Sequence, residues 1–138
     1  MNHSAIIAAA AVMGFFGVAA AADEPTLESA PPVVVKTVPE AGASDVDPTL
    51  TEIKATFSKE MADGKWSFVQ LSDGSFPKAA GDVRYEKDKR TCVLPVKLEP
   101  GKTYALWINV AGKFENFKDA DGRPAVPYLL VFKTRKRP

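Results

Sequence analysis

Hydrophobic and polar residues alternate through most of the chain after residue 33, and this alternation predicts a β protein. In residues 52–57 the side chains of Ile53, Ala55 and Phe57 share one face, and polar side chains take the other. In residues 103–110 the same period of two places Tyr104, Leu106, Ile108 and Val110 together. A period of two is typical of a strand with one buried face.

Turn-forming residues separate these patterns and divide the chain into short strands. Asp73-Gly74 and Pro100-Gly101 are examples, since glycine and proline supply the dihedral angles that turns need. We predict about seven strands, at residues 33–38, 52–57, 66–71, 83–86, 91–98, 103–110 and 128–134. Residues 58–64 are predicted to form one helical turn that carries Met61 inward. Pro95 lacks an N–H donor, so its strand is expected at a sheet edge or with a local bulge. The predicted fold is an all-β antiparallel sandwich of two sheets.

The N-terminal segment differs from the rest of the chain because its first 22 residues contain no Asp, Glu, Lys or Arg. An apolar run from Ala5 to Ala19 is followed by three alanines that fit a cleavage site before Asp23. This pattern is typical of a signal peptide, and the run is short for a membrane span. We predict a signal peptide at residues 1–22 and an exported protein, located in the periplasm, at the cell surface or outside the cell. A retained membrane anchor is the alternative.

Composition sets the remaining boundaries. Residues 23–32 contain three prolines and three acids and are predicted to be a linker. Residues 33–134 form the predicted domain, and residues 135–138 are a basic tail. A solvated tail is the simpler interpretation, with docking on an acidic surface as the alternative. The net charge of +1 gives no reason to expect nucleic acid as a partner.

Four motifs, in this order, resemble the SbsA-type bacterial Ig-like domain. They are the turn at residues 38–48, the strand and turn at residues 53–61, the hairpin at residues 98–104, and the loop and strand at residues 118–134. The resemblance implies a β-sandwich that serves as a spacer, adhesion or accessory module. It implies no catalytic residues, because the members of this family have none in common.

Histidine occurs once, as His3 in the predicted signal peptide. The mature chain would therefore lack an imidazole for nucleophilic catalysis or metal binding. The Pro39-Glu40-Ala41-Gly42 turn is also similar to that of CopC-like copper-binding proteins, but their copper site needs histidines near the mature N-terminus. We predict that the protein is not an enzyme and has no cofactor.

Two further groups are candidates for chemistry. Cys92, the only cysteine, alternates with Leu94 and Val96 and is predicted to be a core thiol; a reactive thiol would have to point outward. Asp119 and Asp121 precede a glycine and resemble the start of a calcium loop. The twelfth position of an EF-hand would be Leu130 rather than glutamate, so an EF-hand is excluded. A turn is the simpler interpretation, and a small calcium-binding protein is the alternative function.

Three aromatic residues are the best candidates for a binding face. Trp107 lies opposite the apolar face of its strand, and Trp66 and Phe68 share a face of theirs. Exposed rings can stack on a sugar or anchor a protein partner. Alternatively, they pack under the loop of residues 111–127 or against a neighbouring side chain. The predicted function is a non-catalytic exported module that acts in cell-surface or periplasmic structure or binds a protein or polysaccharide.

Overall fold

The computed structural model describes residues 24–137, and the predicted signal peptide lies outside the described residues. The chain divides into two compact units, the second of which begins at Pro31. In the first unit, residues 24–30 contain a turn in which the Thr26 N–H donates to Ser29 Oγ at 2.9 Å. Pro32, placed by the sequence at the end of the linker, is already buried in the second unit.

Eight strands and no helix are present in the described part of the chain, and they form two antiparallel sheets. The strands are β1 (Val34–Val38), β2 (Glu52–Phe57), β3 (Phe68–Gln70), β4 (Lys78–Ala79), β5 (Arg84–Tyr85), β6 (Thr91–Lys97), β7 (Thr103–Ile108) and β8 (Tyr128–Lys133). The first sheet has the order β1-β2-β6, with β4 and β5 both on the far side of β6. The second has the order β3-β7-β8. The predicted all-β sandwich is confirmed.

Two local predictions are wrong. The seven predicted strands omit β4, because a two-residue strand is too short to show alternation. Residues 58–64 instead form a bend, a bridge between Met61 and Asp119, and a turn at residues 63–64. Met61 is nevertheless buried, as predicted.

The core fills the space between the sheets in two clusters. Residues of β2, β6, β7 and β8, and Leu98 directly after β6, form the first cluster: Ile53, Leu94, Val96, Leu98, Tyr104, Leu106, Leu130 and Phe132. The second adds the loop that follows β7: Ala55, Phe57, Met61, Cys92, Ile108, Phe117 and Ala125. Each large side chain removed from water in this way stabilises the fold by about 1.5–3 kcal/mol.

Pro95 lies in a central strand, so the prediction of an edge strand is wrong. It pairs with Glu52 on one side of β6. On the other side of β6, β5 pairs with Val93 and β4 pairs with Val96. The strand pairing on this side is interrupted between β4 and β5. The N–H that proline lacks would point into this interruption, so the ladder loses no bond there. The irregularity that proline requires is therefore located between β4 and β5, and β6 itself is regular.

The chain crosses from one sheet to the other just after β1. The peptide bond before Pro39 is cis. Beyond it, residues 42–46 run alongside β8: the Gly42 N–H donates to Val131 O at 2.7 Å, and the Val46 N–H donates to Lys133 O at 3.1 Å. Val46 and Thr134 form a parallel bridge. β1 thus belongs to the first sheet, and the segment that follows it pairs with the second.

The same pairing continues into the predicted basic tail. The Arg135 N–H donates to Val46 O at 2.8 Å, and the Gly101 N–H donates to Arg135 O at 2.9 Å. Arg135 is therefore held by its backbone, whereas Lys136 and Arg137 are exposed.

Candidate functional site

A groove of about 550 Å³ opens beside β3, between the two sheets. Most of its lining is aromatic or aliphatic: Trp66, Phe68, Val69, Phe76, Val83, Leu94 and Phe114. The polar lining residues are Ser67, Gln70 and Asn116. Trp66 is 36% exposed and Phe114 is 43% exposed, so each leaves part of its ring open to solvent.

Hydrogen bonds to Ser67 hold the two aromatic sides of the groove together. The Asn116 N–H donates to Ser67 Oγ at 3.0 Å, and the Asn109 N–H donates to Ser67 O at 3.0 Å. These bonds fasten the loop of residues 109–117 to the start of β3. The loop that carries Phe114 and the segment that carries Trp66 are therefore positioned by each other.

Within that loop, Phe114 lies at the end of a tight turn. The Val110 N–H donates to Phe114 O at 2.7 Å, and the Phe114 N–H donates to Val110 O at 2.9 Å. Gly112 has a φ of +72°, a backbone angle that glycine adopts without the steric cost of a side chain.

Asn109 organises the base of the loop and was misplaced by the sequence pattern. The alternation predicts Asn109 inside a strand on its outer face, but β7 ends at Ile108 and Asn109 is completely buried. Its φ is +63°, which asparagine tolerates better than most residues. Its Nδ2 donates to Phe117 O at 3.0 Å and to Ala125 O at 3.1 Å, and its Oδ1 accepts from the Phe117 N–H at 3.0 Å.

The structure separates the three predicted binding residues. Trp66 and Phe68 line the same groove, and Phe68 also packs edge-on against Phe117 at 5.0 Å between ring centroids. Trp107 lies on the opposite face of its sheet, half-buried, with Val69 and Leu129 directly beside it on the neighbouring strands. Trp107 therefore does not contribute to the groove.

Phe114 completes the groove and was not singled out from the sequence. The only sequence signal is an aromatic residue among polar neighbours in a loop, at Gly112-Lys113-Phe114-Glu115-Asn116. Such a signal is weak because it does not say which strand the loop returns to.

None of the described residues that line the groove has an ionisable side chain. Its described lining contains aromatic and aliphatic groups, one hydroxyl at Ser67, and the amides of Gln70 and Asn116. Within residues 24–137 the side chains of both amides make no hydrogen bond. The groove can therefore offer apolar contact, ring stacking and neutral hydrogen bonds, and it has no side chain suited to proton transfer near neutral pH.

A second cavity, of about 540 Å³, lies near Met61 and Tyr85 and is lined by acids and lysines. One of its acids, Glu86, is paired with Lys54 Nζ at 2.7 Å. Tyr85 donates its hydroxyl to Lys65 O at 3.1 Å. These contacts tie surface strands and loops together.

Asp119 is a buried acid held by several hydrogen bonds and ion pairs. Its Oδ1 accepts from the N–H groups of Asp121 at 3.0 Å and Arg123 at 2.9 Å. Its Oδ2 lies 2.9 Å from Lys59 Nζ and 3.2 Å from Arg123 Nη1. Burial alone would raise the pKa of Asp119, but the hydrogen bonds from Lys59, Arg123 and the loop backbone outweigh it and lower the pKa to about 2.

This arrangement leaves little room for the calcium ion that the sequence suggested. Arg123 Nη1 contacts Asp119 and also Asp121 Oδ2 at 3.0 Å, so a guanidinium lies between the two carboxylates. Calcium needs six to eight oxygen ligands. In the part of the chain that the structure describes, no three His, Cys, Asp or Glu side chains are grouped to hold a metal ion. The loop geometry supports a role in closing the turn.

Cys92 lies in the core, as the alternation predicted. Its side chain is completely buried, and burial raises the pKa of the thiol to about 12. A thiol with this pKa is almost fully protonated at neutral pH and reacts slowly.

Residues 24–137 contain no helix long and apolar enough to span a membrane.

Comparisons with known proteins identify the fold family. The profile of the bacterial Ig-like domain matches residues 28–134. Among solved structures, the chain is similar to the surface layer protein SbsC, domains 1-6, at 20% identity and a TM-score of 0.50. It is also similar to the S-layer protein rSbsC, at 20% identity and a TM-score of 0.49. In both cases the match covers 80% of this chain and 14% of the other chain. No curated protein matches the sequence. With most of its length matched by the family profile, the chain belongs to the bacterial Ig-like domain family.

Proposed function

We propose that this protein is an exported, non-catalytic Ig-like module of the cell surface that binds a partner through the groove between Trp66 and Phe114. One observation carries the proposal: the groove combines partly exposed aromatic rings with a lining free of ionisable groups. Such a lining suits recognition by contact and stacking.

The surface location is supported by two independent features. The N-terminal 22 residues have the composition of a signal peptide. A protein of known structure with the same fold, SbsC, is a surface layer protein. This chain covers only 14% of that protein, so a location at the cell surface is a proposal for this chain.

The rings provide enough area to matter in binding. Aromatic side chains bury about 150–250 Å² each, so covering the exposed third or more of Trp66 and Phe114 would stabilise a complex by roughly 1–3 kcal/mol per ring. Residues of this kind at the centre of an interface are often those whose loss weakens binding most.

The proposal is tested with the exported protein and the two variants Trp66→Ala and Phe114→Ala. Each protein is incubated with the isolated envelope of the native cell, and the bound fraction is measured against concentration. We expect each variant to bind about tenfold or more weakly, since a loss of 1.4 kcal/mol corresponds to a factor of ten.

The matched control is Val126→Ala, which removes an exposed apolar side chain that does not line the groove. Thermal melting of each variant checks that the fold is intact. Equal binding by wild type, Trp66→Ala and Phe114→Ala would refute the groove as the binding site.

A further inference from the structure

Resting on the proposed function, we infer that the ligand of the groove is an extended, uncharged peptide segment of a partner protein, which adds as a strand to the free edge of β3. Neighbouring strands provide the hydrogen bonds in this mode of recognition, and pockets for alternate side chains provide the specificity.

The register of β3 shows which backbone groups are free. The Asn109 N–H donates to Ser67 O, and the Leu71 N–H donates to Ala105 O at 3.2 Å. In an antiparallel ladder, the residues that bond to a given neighbour alternate along the strand. Ser67, Val69 and Leu71 therefore face β7, and the backbone groups of Phe68 and Gln70 face away from it.

Nothing else in the described chain takes up these backbone groups. The second sheet has the order β3-β7-β8, so β3 is its edge strand. Outside the ladder, no hydrogen bond within residues 24–137 involves the backbone of Phe68 or Gln70. Edge strands with unpaired N–H and C=O groups are templates for pairing with another chain.

The free edge and the groove coincide. Phe68 and Gln70 both line the groove, together with the apolar side chains of Val83 and Leu94. A strand added beside β3 lies about 4.8 Å away, and alternate side chains of that strand point to the same face. Every second side chain would therefore enter the apolar part of the groove.

The lining also restricts the chemistry of the segment. Because no lining residue carries a charge, a charged side chain inside the groove would lose water without gaining a partner. The three residues of β3 span roughly 10 Å, which is enough for a core of about three to five peptide residues. The expected ligand has apolar residues at alternate positions over that length.

A neutral glycan is the competing ligand, and it would use different atoms. Sugar hydroxyls would bond to the side-chain amides of Gln70 and Asn116, whereas a peptide strand would bond to the backbone of Phe68 and Gln70. Substitutions at position 70 separate the two cases. Gln70→Pro removes the N–H that faces the free edge, and proline is tolerated at an edge strand because the ladder loses no bond. Gln70→Ala keeps that N–H and removes the amide.

The experiment uses Trp66 as a reporter. The chain contains two tryptophans, so Trp107→Phe leaves Trp66 as the only one. Peptides are selected from a random library displayed on phage, with the protein as target, and are then titrated against the fluorescence of Trp66. A panel of neutral oligosaccharides (glucan, mannan and chitin fragments) is titrated in the same way.

We expect the selected peptides to change the Trp66 fluorescence and to share apolar residues at alternate positions. Gln70→Pro should weaken their binding by about tenfold, as the loss of one hydrogen bond predicts, and by clearly more than Gln70→Ala. N-methylation of alternate peptide amides should have an effect as large. Thermal melting shows whether Gln70→Pro is folded; if it is not, the N-methylated peptides provide the test.

Three results would overturn the inference: no selected peptide changes the Trp66 fluorescence, N-methylation has no effect, or only oligosaccharides bind and Gln70→Ala abolishes their binding. Failure of the inference is distinct from failure of the proposed function. If Trp66→Ala abolishes envelope binding while Gln70→Pro and the N-methylated peptides have no effect, the groove remains the site and only the strand-like ligand is lost.

Discussion

The side chain of Asn109 fastens the end of β7 to the segments that contain Phe117 and Ala125. It donates to Phe117 O and Ala125 O and accepts from the Phe117 N–H, all while completely buried. Buried polar groups stabilise a fold only when their partners are present. Asn109 thereby sets the position of the loop that carries Phe114.

Replacing Asn109 by aspartate should be strongly destabilising. The carboxylate cannot donate to the two carbonyl oxygens, and its charge would be buried among backbone groups of Phe117 and Ala125, which include no cation. We expect Asn109→Asp to lower the free energy of unfolding by about 2–4 kcal/mol, as measured by denaturant titration. Asn116→Asp, at an exposed amide, is the control and should change it by less than about 0.5 kcal/mol. Equal stability of Asn109→Asp and wild type would contradict the assigned role.

Asp119 makes the stability of the protein depend on pH. The folded-state pKa of Asp119 is about 2, below the ordinary value of 3.8, so the carboxylate is favoured in the folded state. The stabilisation that the Asp119 carboxylate gives to the folded state is fully present above its ordinary pKa. It is lost as the pH falls from about 4 towards 2. We expect Asp119→Asn to be less stable than wild type near pH 6, and the difference to shrink as the pH approaches about 2.5.

Asp121→Asn is the control for this pH series, because the Asp121 side chain is 70% exposed and its bond to Arg123 is a surface contact. Denaturant titrations across the pH range measure both variants. If the difference in stability between Asp119→Asn and wild type stays constant with pH, the lowered pKa is wrong.

The same samples test the calcium hypothesis: we expect no rise in melting temperature with millimolar calcium, whereas a bound ion would stabilise the folded state by mass action.

Among the elements, the strands with the clearest alternation were the best predicted. The predicted bounds of β2 and its buried face agree with the structure because one face of that strand is in the core. The strand that became β7 was predicted two residues too long, since Asn109 and Val110 continue the pattern after the ladder has ended. Periodicity records which side chains face the core, and it does not record where the backbone turns.

The neighbours of β6 show what a single strand pattern leaves out. Pro95 correctly indicated an irregularity, but the irregularity lies between β4 and β5. Gly81, in that interruption, is close to Pro95: an added Cβ would lie 3.2 Å from Pro95 Cβ and 3.3 Å from Pro95 Cγ. The Ala80 N–H donates to Pro95 O at 3.0 Å, and Pro95 pairs with Glu52, so the proline has little freedom to move.

Gly81→Ala should therefore destabilise the protein. The added methyl group meets Pro95, and the expected loss is about 1 kcal/mol, near the lower end of the cost of overpacking. Denaturant titration measures the change, with Ala80→Ser at the exposed neighbouring position as the control. Where space is free, replacing glycine by alanine usually stabilises a protein. A gain in stability for Gly81→Ala would therefore show that Pro95 can move aside.

At the scale of the whole molecule, the sequence predicted the sandwich but not the groove. The sandwich depends on local alternation and turns, which a single sequence displays. The groove depends on the contact of Ser67 with Asn116, which are 49 positions apart, and no local pattern indicates that contact. Trp66 and Phe68 are close in sequence and line the same groove, whereas Phe114 joins them only because the fold brings its loop back to β3.

Cys92 provides a probe of global unfolding. It is the only cysteine of the chain and is completely buried at the centre of the first sheet. We expect a thiol reagent to label the native protein slowly, at a rate that rises in denaturant in parallel with the loss of β structure measured by circular dichroism. The unfolded chain, labelled at once, is the control. Rapid labelling of the native protein would show that the region around β6 opens on its own.

The crossing of the chain after β1 has a mechanical consequence. Residues 42–46 run parallel to the end of β8, and four backbone hydrogen bonds join them, at Gly42 N–Val131 O, Lys133 N–Ala43 O, Val46 N–Lys133 O and Arg135 N–Val46 O. Tension applied between the two ends of the domain pulls these parallel segments past each other along their length. All four bonds then carry the load together in shear, instead of opening one after another. We expect this pairing to be the main resistance of the module to stretching when it is held at both ends.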